Sequence, residues 1–526
     1  MLTALMILLV VFSNAAGDVF LTKGMKQVGD VSAIGWVQLG GTIKRIVCNA
    51  NFMLGVACLA VSFFSFLAVL SWANLSFVVP ATAIVYVVTV LGAKIFLGEN
   101  VDRLRWGGTL LICFGVALVC LPGDMSLNLF AFLRPARFFF GLLTVASVCY
   151  FLASVIAAER FFSKSGEKEP ATSPSSKEGP AGFHRPISVL VPLCGADFRG
   201  YQNYASLCRQ NYPEFEILFG VADPMDSSLS VVEKLRADFP EVSIELVVSS
   251  DEIGPNPKVN SLNNMISHAR HETILMLDSD IRVGPDFIGT IFVELRGIGE
   301  GLVTCLYRAG EAPGLPSKLE AVGISGDFAP GVLVAQMGAD LSFAFGACIG
   351  LTKKTLETIG GFEAIAPYLA DDYMLGNLVR KAGLPVRLSR CVVETVLSRL
   401  TLGGFFKHQL RWARGIRACA PWGHTGSLIT NGTALSFLYF ASCGFSRSGL
   451  LVFATVVALR LGMAWMVGVR RLGDDVLRRN LFLVVLRDFL SLFIWSAALF
   501  GRRVEWRDKV FRLEKDGRII PWGTSV

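Results

Sequence analysis

The sequence predicts an α-helical membrane protein carrying an α/β domain built on a mostly parallel sheet. Three observations lead there. The 526 residues are 53% hydrophobic and only 17% charged, with a mean hydropathy of +0.54, too apolar for an ordinary soluble chain. Apolar runs of about the 20 residues a helix needs to cross a bilayer cluster at both ends of the chain. Between them, short β-branched runs alternate with polar helical stretches, the texture of a parallel sheet covered on both faces.

Five apolar runs open the chain, near 2–22, 52–72, 76–97, 106–122 and 138–157. The first, "MLTALMILLVVFSNAAGDVF", lacks a basic start and is followed at once by further runs, so it reads as a retained helix and not a signal peptide. Segment 23–51 carries Lys23, Lys26, Lys44 and Arg45, the link 73–75 carries no charge, and 98–105 carries Arg103 and Arg105. Arg134 and Arg137 in 123–137 are the exception to this alternation. The balance puts the N-terminus outside and the region after the fifth run in the cytoplasm. Residues 163–186, rich in Ser, Pro, Gly, Lys and Glu, read as a flexible linker.

The α/β domain is expected over 187–425. "ISVLVPL", "FEILFGVAD", "VSIELVVS" and "ETILMLDSD" supply strands, and "KVNSLNNMISHAR" supplies a helix. Apolar runs return near 428–446, 449–469 and 480–500, followed by a basic tail at 501–526. The link 470–479 contains four Arg, and the tail is also basic. Both cannot be cytoplasmic if a single span separates them, so either one run is re-entrant or the charge rule is broken. Arg460, Arg487 and Asp488 lie inside these runs and must face protein or water, not lipid. The adjacent Arg487 and Asp488 read as a buried structural pair, with a polar path as the alternative.

The net charge of +7 sits beside apolar runs and fits a membrane topology signal, not a nucleic-acid surface; no strip of interleaved aromatic and basic residues occurs. The twelve Cys form no CxxC pair, so neither a zinc site nor a disulfide framework is expected.

In an open α/β sheet, ligands sit at the carboxyl ends of the strands. Asp223 falls at one such end, and Asp278 and Asp280 fall at another. Two carboxylates one residue apart suit a hard divalent cation, Mg2+ or Mn2+, that takes further oxygens from a substrate phosphate; a solvated turn is the plain alternative. Lys258 opens a helix, where a cation and free backbone N–H groups suit a diphosphate. "YLADDYMLG" sets Asp371 and Asp372 at a second helix start, where one acid is explained by capping and the other is left for chemistry. "FKHQLRWARGIR" gathers Lys407, His408, Arg411, Arg414 and Arg417 around Trp412. It reads as an interfacial anchor helix, with a phosphate-binding role for Arg411 as the sharper alternative.

The blocks "VADPMD", "NPKVNSL", "LDSDIRV", "YLADDYMLG" and "HQLRWARG" occur in an order that resembles the family 2-like membrane glycosyltransferases, and more closely the ceramide glucosyltransferase family. The resemblance covers roughly 185–425 and the flanking runs. It is nearest to the bacterial branch of hopanoid biosynthesis, whose members add an N-acetylhexosamine to bacteriohopanetetrol, and the tail "VEWRDKVFRLEKDGRI" looks like that branch too. The resemblance implies a GT-A nucleotide-sugar fold, a UDP-sugar donor, a membrane lipid acceptor (ceramide or a hopanoid) and a divalent cation. It implies that Asp223 contacts the uridine part, Asp278 and Asp280 the metal and diphosphate, and that Asp372 is the general base beside Asp371. Arg411 and Trp412 fall on the family's Arg-Trp motif. The first position of that motif, usually Gln, is His408 here, which weighs against a processive polysaccharide synthase. The implied setting is a bacterial inner membrane with the catalytic domain cytoplasmic.

Residues 1–122 resemble a second family, the EamA-like four-helix drug/metabolite transporter unit, through "AAGDVFLTKG" and the stretch from Pro80 through Glu99, Gly107 and Gly108. Such a unit needs a partner to form a transport path, which implies a homodimer through these helices. Two functions therefore compete. One is an inverting glycosyltransferase acting on a membrane lipid. The other is a transporter or flippase of a lipid-linked sugar or metabolite, with a regulatory α/β domain.

Overall fold

A computed structural model describes residues 2–28, 45–98, 101–102, 105–109, 112–113, 116, 134–163, 185–338, 340–506 and 509–523. The apolar run expected at 106–122 and the linker expected at 163–186 lie mostly outside these residues. The chain divides into two units, Met1–Phe132 and Leu133–Val526.

In the first unit, helix Leu2–Val28 packs along Ala50–Leu70. Small residues let the backbones approach: a Cβ on Gly17 would meet Leu59 at 2.7 Å, and one on Gly55 would meet the Leu21 nitrogen at 2.8 Å. The run at 76–97 is broken into Leu75–Thr82 and Val85–Phe96, with Pro80 inside the first piece. Segments Leu5–Val28, Ala50–Leu70 and Phe77–Phe96 are long and apolar enough to cross a membrane.

In the second unit, Arg134–Ser163 and Arg447–Arg471 meet the same requirement. The other C-terminal runs form the 11-residue helix Gly432–Ser442 and the 16-residue helix Leu483–Ala498, short of the roughly 20 residues a crossing needs. The arginine-rich link at 470–479 and the segment after 501 are thus joined through a helix shorter than a crossing needs. The expected Arg487–Asp488 pair is not what forms. Neighbours in sequence on a helix point in different directions. Asp488 instead pairs with Arg460, with nitrogen–oxygen distances of 2.9–3.2 Å, while Arg487 reaches Gln409 at 2.5 Å and lies 3.5 Å from Asp327.

The α/β core holds an eight-stranded sheet. Its strands are β1 (Ile187–Pro192), β2 (Phe215–Val221), β3 (Ser243–Val248), β4 (Thr273–Met276), β5 (Ile281–Arg282), β6 (Leu302–Glu311), β7 (Ile349–Thr352) and β8 (Val386–Val396), in the order β3-β2-β1-β4-β7-β6-β8-β5. Strands β1 to β4 run parallel, as does the β6–β8 pair; β7 and β5 are antiparallel to their neighbours. Alternate residues feed cores on the two faces: Leu190, Leu218 and Ile274 on one, Val189, Val191, Ile217 and Leu275 on the other. Burial on both faces explains why these strands read as unbroken apolar runs.

Two pairings place the site. The register Met276↔Ile349 sets the start of antiparallel β7 beside the carboxyl end of β4. The chain just before β7 therefore passes the "LDSD" turn. The register Ile281↔Thr395 likewise sets the end of β8 beside Asp280.

The segment expected as a basic tail folds instead into a three-stranded antiparallel sheet of β9 (Arg503–Trp506), β10 (Lys509–Leu513) and β11 (Ile519–Pro521). Val504, Phe511, Leu513 and Ile519 form a small core with Leu369. The run of charges masks this alternation of apolar residues.

Candidate active site

Helix Pro257–Ile266 begins at the carboxyl edge of the sheet. Asn256 precedes it with Pro257 at the first position, and the Asn256 side-chain Oδ1 accepts from the amides of Lys258 and Val259 at 3.0 and 3.2 Å. The amides expected to be free for a phosphate are therefore already engaged. Asn256 also donates to the Tyr368 carbonyl at 2.8 Å and to Asp371 Oδ1 at 3.4 Å. One buried amide thus ties the start of the lysine helix to the start of helix Asp371–Lys381.

Lys258 sits among acids. Its Nζ lies 2.5 Å from Asp278 Oδ1 and 3.6 Å from Asp371 Oδ2. Burial works against its charge, but Asp278, Asp371 and Asp372 together hold the ammonium above its ordinary range. Burial raises the Asp278 carboxyl and Lys258 opposes the rise.

Neither acid of the Asp-Asp pair caps its helix; the cap position is Ala370, with no side-chain bond. Asp372 instead accepts from the Gly346 amide through Oδ2 and from the Tyr373 amide through Oδ1, both at 2.8 Å. Burial, then the neighbouring Asp371, pushes the Asp372 carboxyl up to about 6, against the pull of Lys258 and the two amides. Asp280 accepts from Thr395 Oγ1 at 2.8 Å, and burial with the Asp278 charge pushes it up to about 7.

Gly346 was not legible as a site residue. A Cβ there would lie 2.8 Å from Asp278, 2.9 Å from Lys258 and 3.4 Å from Asp372. A methyl here would displace the ends of the Asp278 and Lys258 side chains. A small cavity lined by Pro192, Lys258, Leu277, Gly346, Ile365 and Asp371 opens here. Asp197, after β1, was also missed; burial raises its carboxyl, and Asp278 adds to the rise.

Arg411 lies on helix Leu402–Cys419. Burial lowers its pKa, opposed by Glu320, Asp371, Asp372 and Asp278, so the guanidinium shares the field of the acid cluster. Trp412 packs its ring 4.5 Å from His408, whose Nδ1 lies 3.1 Å from buried Glu320. Asp223 is exposed at the end of β2 and accepts from the Met225 amide at 2.8 Å. It shares the sheet edge, but β1 stands between β2 and β4. The structure thus gathers Lys258, Asp278, Asp371 and Asp372, places Arg411 within their field, turns Asp280 toward β8 and leaves Asp223 apart.

Among the described residues no group of three or more His, Cys, Asp or Glu is arranged to hold a metal ion. The donor set is two carboxylates from one turn, Asp278 and Asp280. Asp278 is engaged by Lys258 at 2.5 Å and Asp280 by Thr395 at 2.8 Å, so a cation here would draw most of its shell from substrate phosphate and water and not from an all-protein cage.

Comparison with known proteins finds a match to the glycosyl transferase family 21 profile over residues 140–519. Ceramide glucosyltransferase 1 of Caenorhabditis elegans is 26% identical over 346 residues, 63% of this chain and 72% of the relative. The ceramide glucosyltransferase of Candida albicans is 30% identical over 123 residues, 21% of this chain and 23% of the relative. Among solved structures, the mannosyltransferase PcManGT from Pyrobaculum calidifontis, in complex with GDP-Man and Mn2+, aligns with a TM-score of 0.42 at 16% identity, covering 67% of this chain and 99% of that one.

Proposed function

The chain belongs to glycosyl transferase family 21, and we propose that it moves a hexose or N-acetylhexosamine from a UDP-sugar to the hydroxyl of a membrane lipid, with inversion at the anomeric carbon. The observation that carries this reading is the convergence of Lys258, Asp278 and Asp371 with Asp372 around Gly346. The acceptor is a ceramide-like or hopanoid alcohol, presented at the cytoplasmic face of a bacterial inner membrane. The curated relatives named above are ceramide glucosyltransferases, and five segments here have the length and composition of spans. The N-terminal EamA-like unit anchors the enzyme and is its dimer contact.

The residues divide the work. A lipid hydroxyl is a poor nucleophile until its proton is taken. Asp372 takes it, because its carboxyl is lifted to about 6 yet stays ionised at neutral pH. Its two amide donors fix the direction in which its remaining lone pairs lie. Attack from that side expels the nucleoside diphosphate from the opposite face. Negative charge then grows on the leaving phosphate, and Lys258 and Arg411 offset it. Asp371 holds Lys258, and Asp223 contacts the uridine part. A divalent cation held by Asp278 and Asp280 would supply further charge neutralisation to the diphosphate when bound.

The test incubates membranes containing the full chain with labelled UDP-glucose or UDP-N-acetylglucosamine and separates products by phase. A labelled lipid that vanishes with Asp372→Asn supports the proposal. A water-soluble polymer, or full lipid labelling by the Asp372→Asn protein, would remove it.

A further inference from the structure

Helix Leu402–Cys419 and strand β9 meet along one helical face. Lys407 Nζ lies 2.7 Å from Glu505. The Arg411 guanidinium lies over the Trp506 ring, 5.5 Å from its centroid. Arg414 donates to the carbonyls of Arg503 and Phe500. Positions 407, 411 and 414 follow the i, i+4, i+7 spacing of a single stripe, so the helix reads the strand residue by residue. Arg417, one turn further, donates to the carbonyls of Leu499 and Gly501 at 2.6 and 2.8 Å. The exposed Lys407–Glu505 pair adds little by itself. The arginine–carbonyl bonds and the indole face fix the register.

The same sheet also grips the approach to the Asp-Asp helix. The Leu369 amide donates to the Gly517 carbonyl at 3.1 Å, and the Ile519 amide donates to the Pro367 carbonyl at 2.8 Å. Leu369 is buried among Val504, Phe511, Leu513 and Ile519, and Asp371 follows two residues later. A Cβ on Gly517, whose φ is +90°, would lie 2.6 Å from Cys419 Sγ, so strand, helix and loop close on one another here.

We propose that the C-terminal sheet is part of the catalytic apparatus and that Trp506 is a positioning residue, holding the Arg411 guanidinium toward the donor diphosphate. The inference rests on the role given to Arg411 above. Glu320, then Asp371, Asp372 and Asp278, act electrostatically on the Arg411 guanidinium. Without an aromatic partner, the flexible cation would be drawn toward these acids when no donor is bound. The indole face supplies that partner, since a guanidinium over an aromatic ring is attracted without being neutralised. The arginine is thereby kept charged and aimed, with its donors free for phosphate oxygens.

The experiment uses the full chain in membranes or detergent. It measures KM for the UDP-sugar, kcat and thermal midpoint for Trp506→Leu, Trp506→Phe, Arg411→Ala and the double variant Arg411→Ala/Trp506→Leu. Trp506→Leu is expected to raise the donor KM about tenfold, within the range such contacts allow, with acceptor KM and thermal midpoint unchanged. Trp506→Phe, which keeps a ring, is expected to restore the donor KM to within about threefold of the parent. The double variant is expected to be no worse than Arg411→Ala alone, because both changes remove one interaction. Additive losses in the double variant, or a Trp506→Phe protein as impaired as Trp506→Leu, would overturn the positioning role. A raised donor KM in Arg411→Ala with none in Trp506→Leu overturns this inference alone. An unchanged donor KM in Arg411→Ala overturns the diphosphate role of Arg411 itself, and this inference with it.

Discussion

Single residues at the site differ in what they expose to test. Asp372 takes two backbone hydrogen bonds and a carboxyl value near 6, so its variants separate binding from chemistry. Asp372→Asn keeps the shape and is expected to bind donor while losing roughly a hundred- to ten-thousandfold in turnover; pre-steady-state transfer checks it. The working form is the ionised one. The rate with the intact protein is therefore expected to be level above pH 7 and to fall as pH drops through about 6. At one unit below that value roughly a tenth of the molecules keep the base ionised. A flat kcat profile between pH 5 and 7 would take Asp372 out of proton transfer. Gly346→Ala inserts a methyl 2.8 Å from Asp278 and 2.9 Å from Lys258. Misplacement by about an ångström costs on the order of a hundredfold in a preorganised site, so transfer should fall by about that factor while the thermal midpoint holds. The paired acids were legible because an Asp-Asp at a helix start exceeds what a cap needs. Gly346 carries no such signal: its importance comes from the β4–β7 register, a long-range pairing that local pattern does not encode.

At the scale of elements, helix starts and strand runs were legible, while partners between elements were not. Asn-Pro before an apolar helix is a start signal, and Asn256 with Pro257 fills it. Nothing local reveals that the same amide also reaches Tyr368 and Asp371. Asn256→Asp separates the two jobs. It keeps a capping oxygen, so stability should change by less than the roughly 1 kcal/mol of a lost cap. It deletes the donor to Tyr368 and sets a charge against Asp371, so donor KM should rise. A loss of stability without a change in donor KM would confine Asn256 to capping. The charges in the apolar runs show the same limit. Adjacency suggested Arg487–Asp488, whereas packing of helix Leu483–Ala498 against Arg447–Ala464 selects Arg460–Asp488. Arg460 is completely buried and Asp488 nearly so. Arg460 also pairs with Asp327, so removing Arg460 leaves the buried Asp488 uncompensated, at a cost of roughly 3–5 kcal/mol. Arg460→Met should therefore lower the thermal midpoint in detergent sharply, and Arg460→Met/Asp488→Leu should recover much of it. Equal loss in both would show that the pair's shape, not its charge balance, holds the helices.

The whole chain divides in a way that makes a final expectation possible. The composition correctly signalled apolar segments at both ends around an α/β centre. It missed that the last residues return as a sheet, because charged residues in β9 to β11 hide a small core of Val504, Phe511, Leu513 and Ile519. The family match begins at residue 140, close to the start of the second unit at Leu133. Every gathered acid and cation, from Lys258 to Arg411, belongs to that unit, and so do both faces of its sheet. The first unit has its own close-packed helix pair, with Gly17 and Gly55 at the contact. On the proposed reading the first unit serves only as an anchor, and Arg134–Ser163 and Arg447–Arg471 also have the length and composition of membrane spans. A chain of residues 133–526 expressed in membranes should label the same lipid as the full chain. Mass spectrometry of the extracted lipids, run beside the full chain, reads the product directly. Loss of the glycolipid from correctly inserted 133–526 would show that the first unit delivers the acceptor or completes the site, and the separation of anchoring from catalysis would fail.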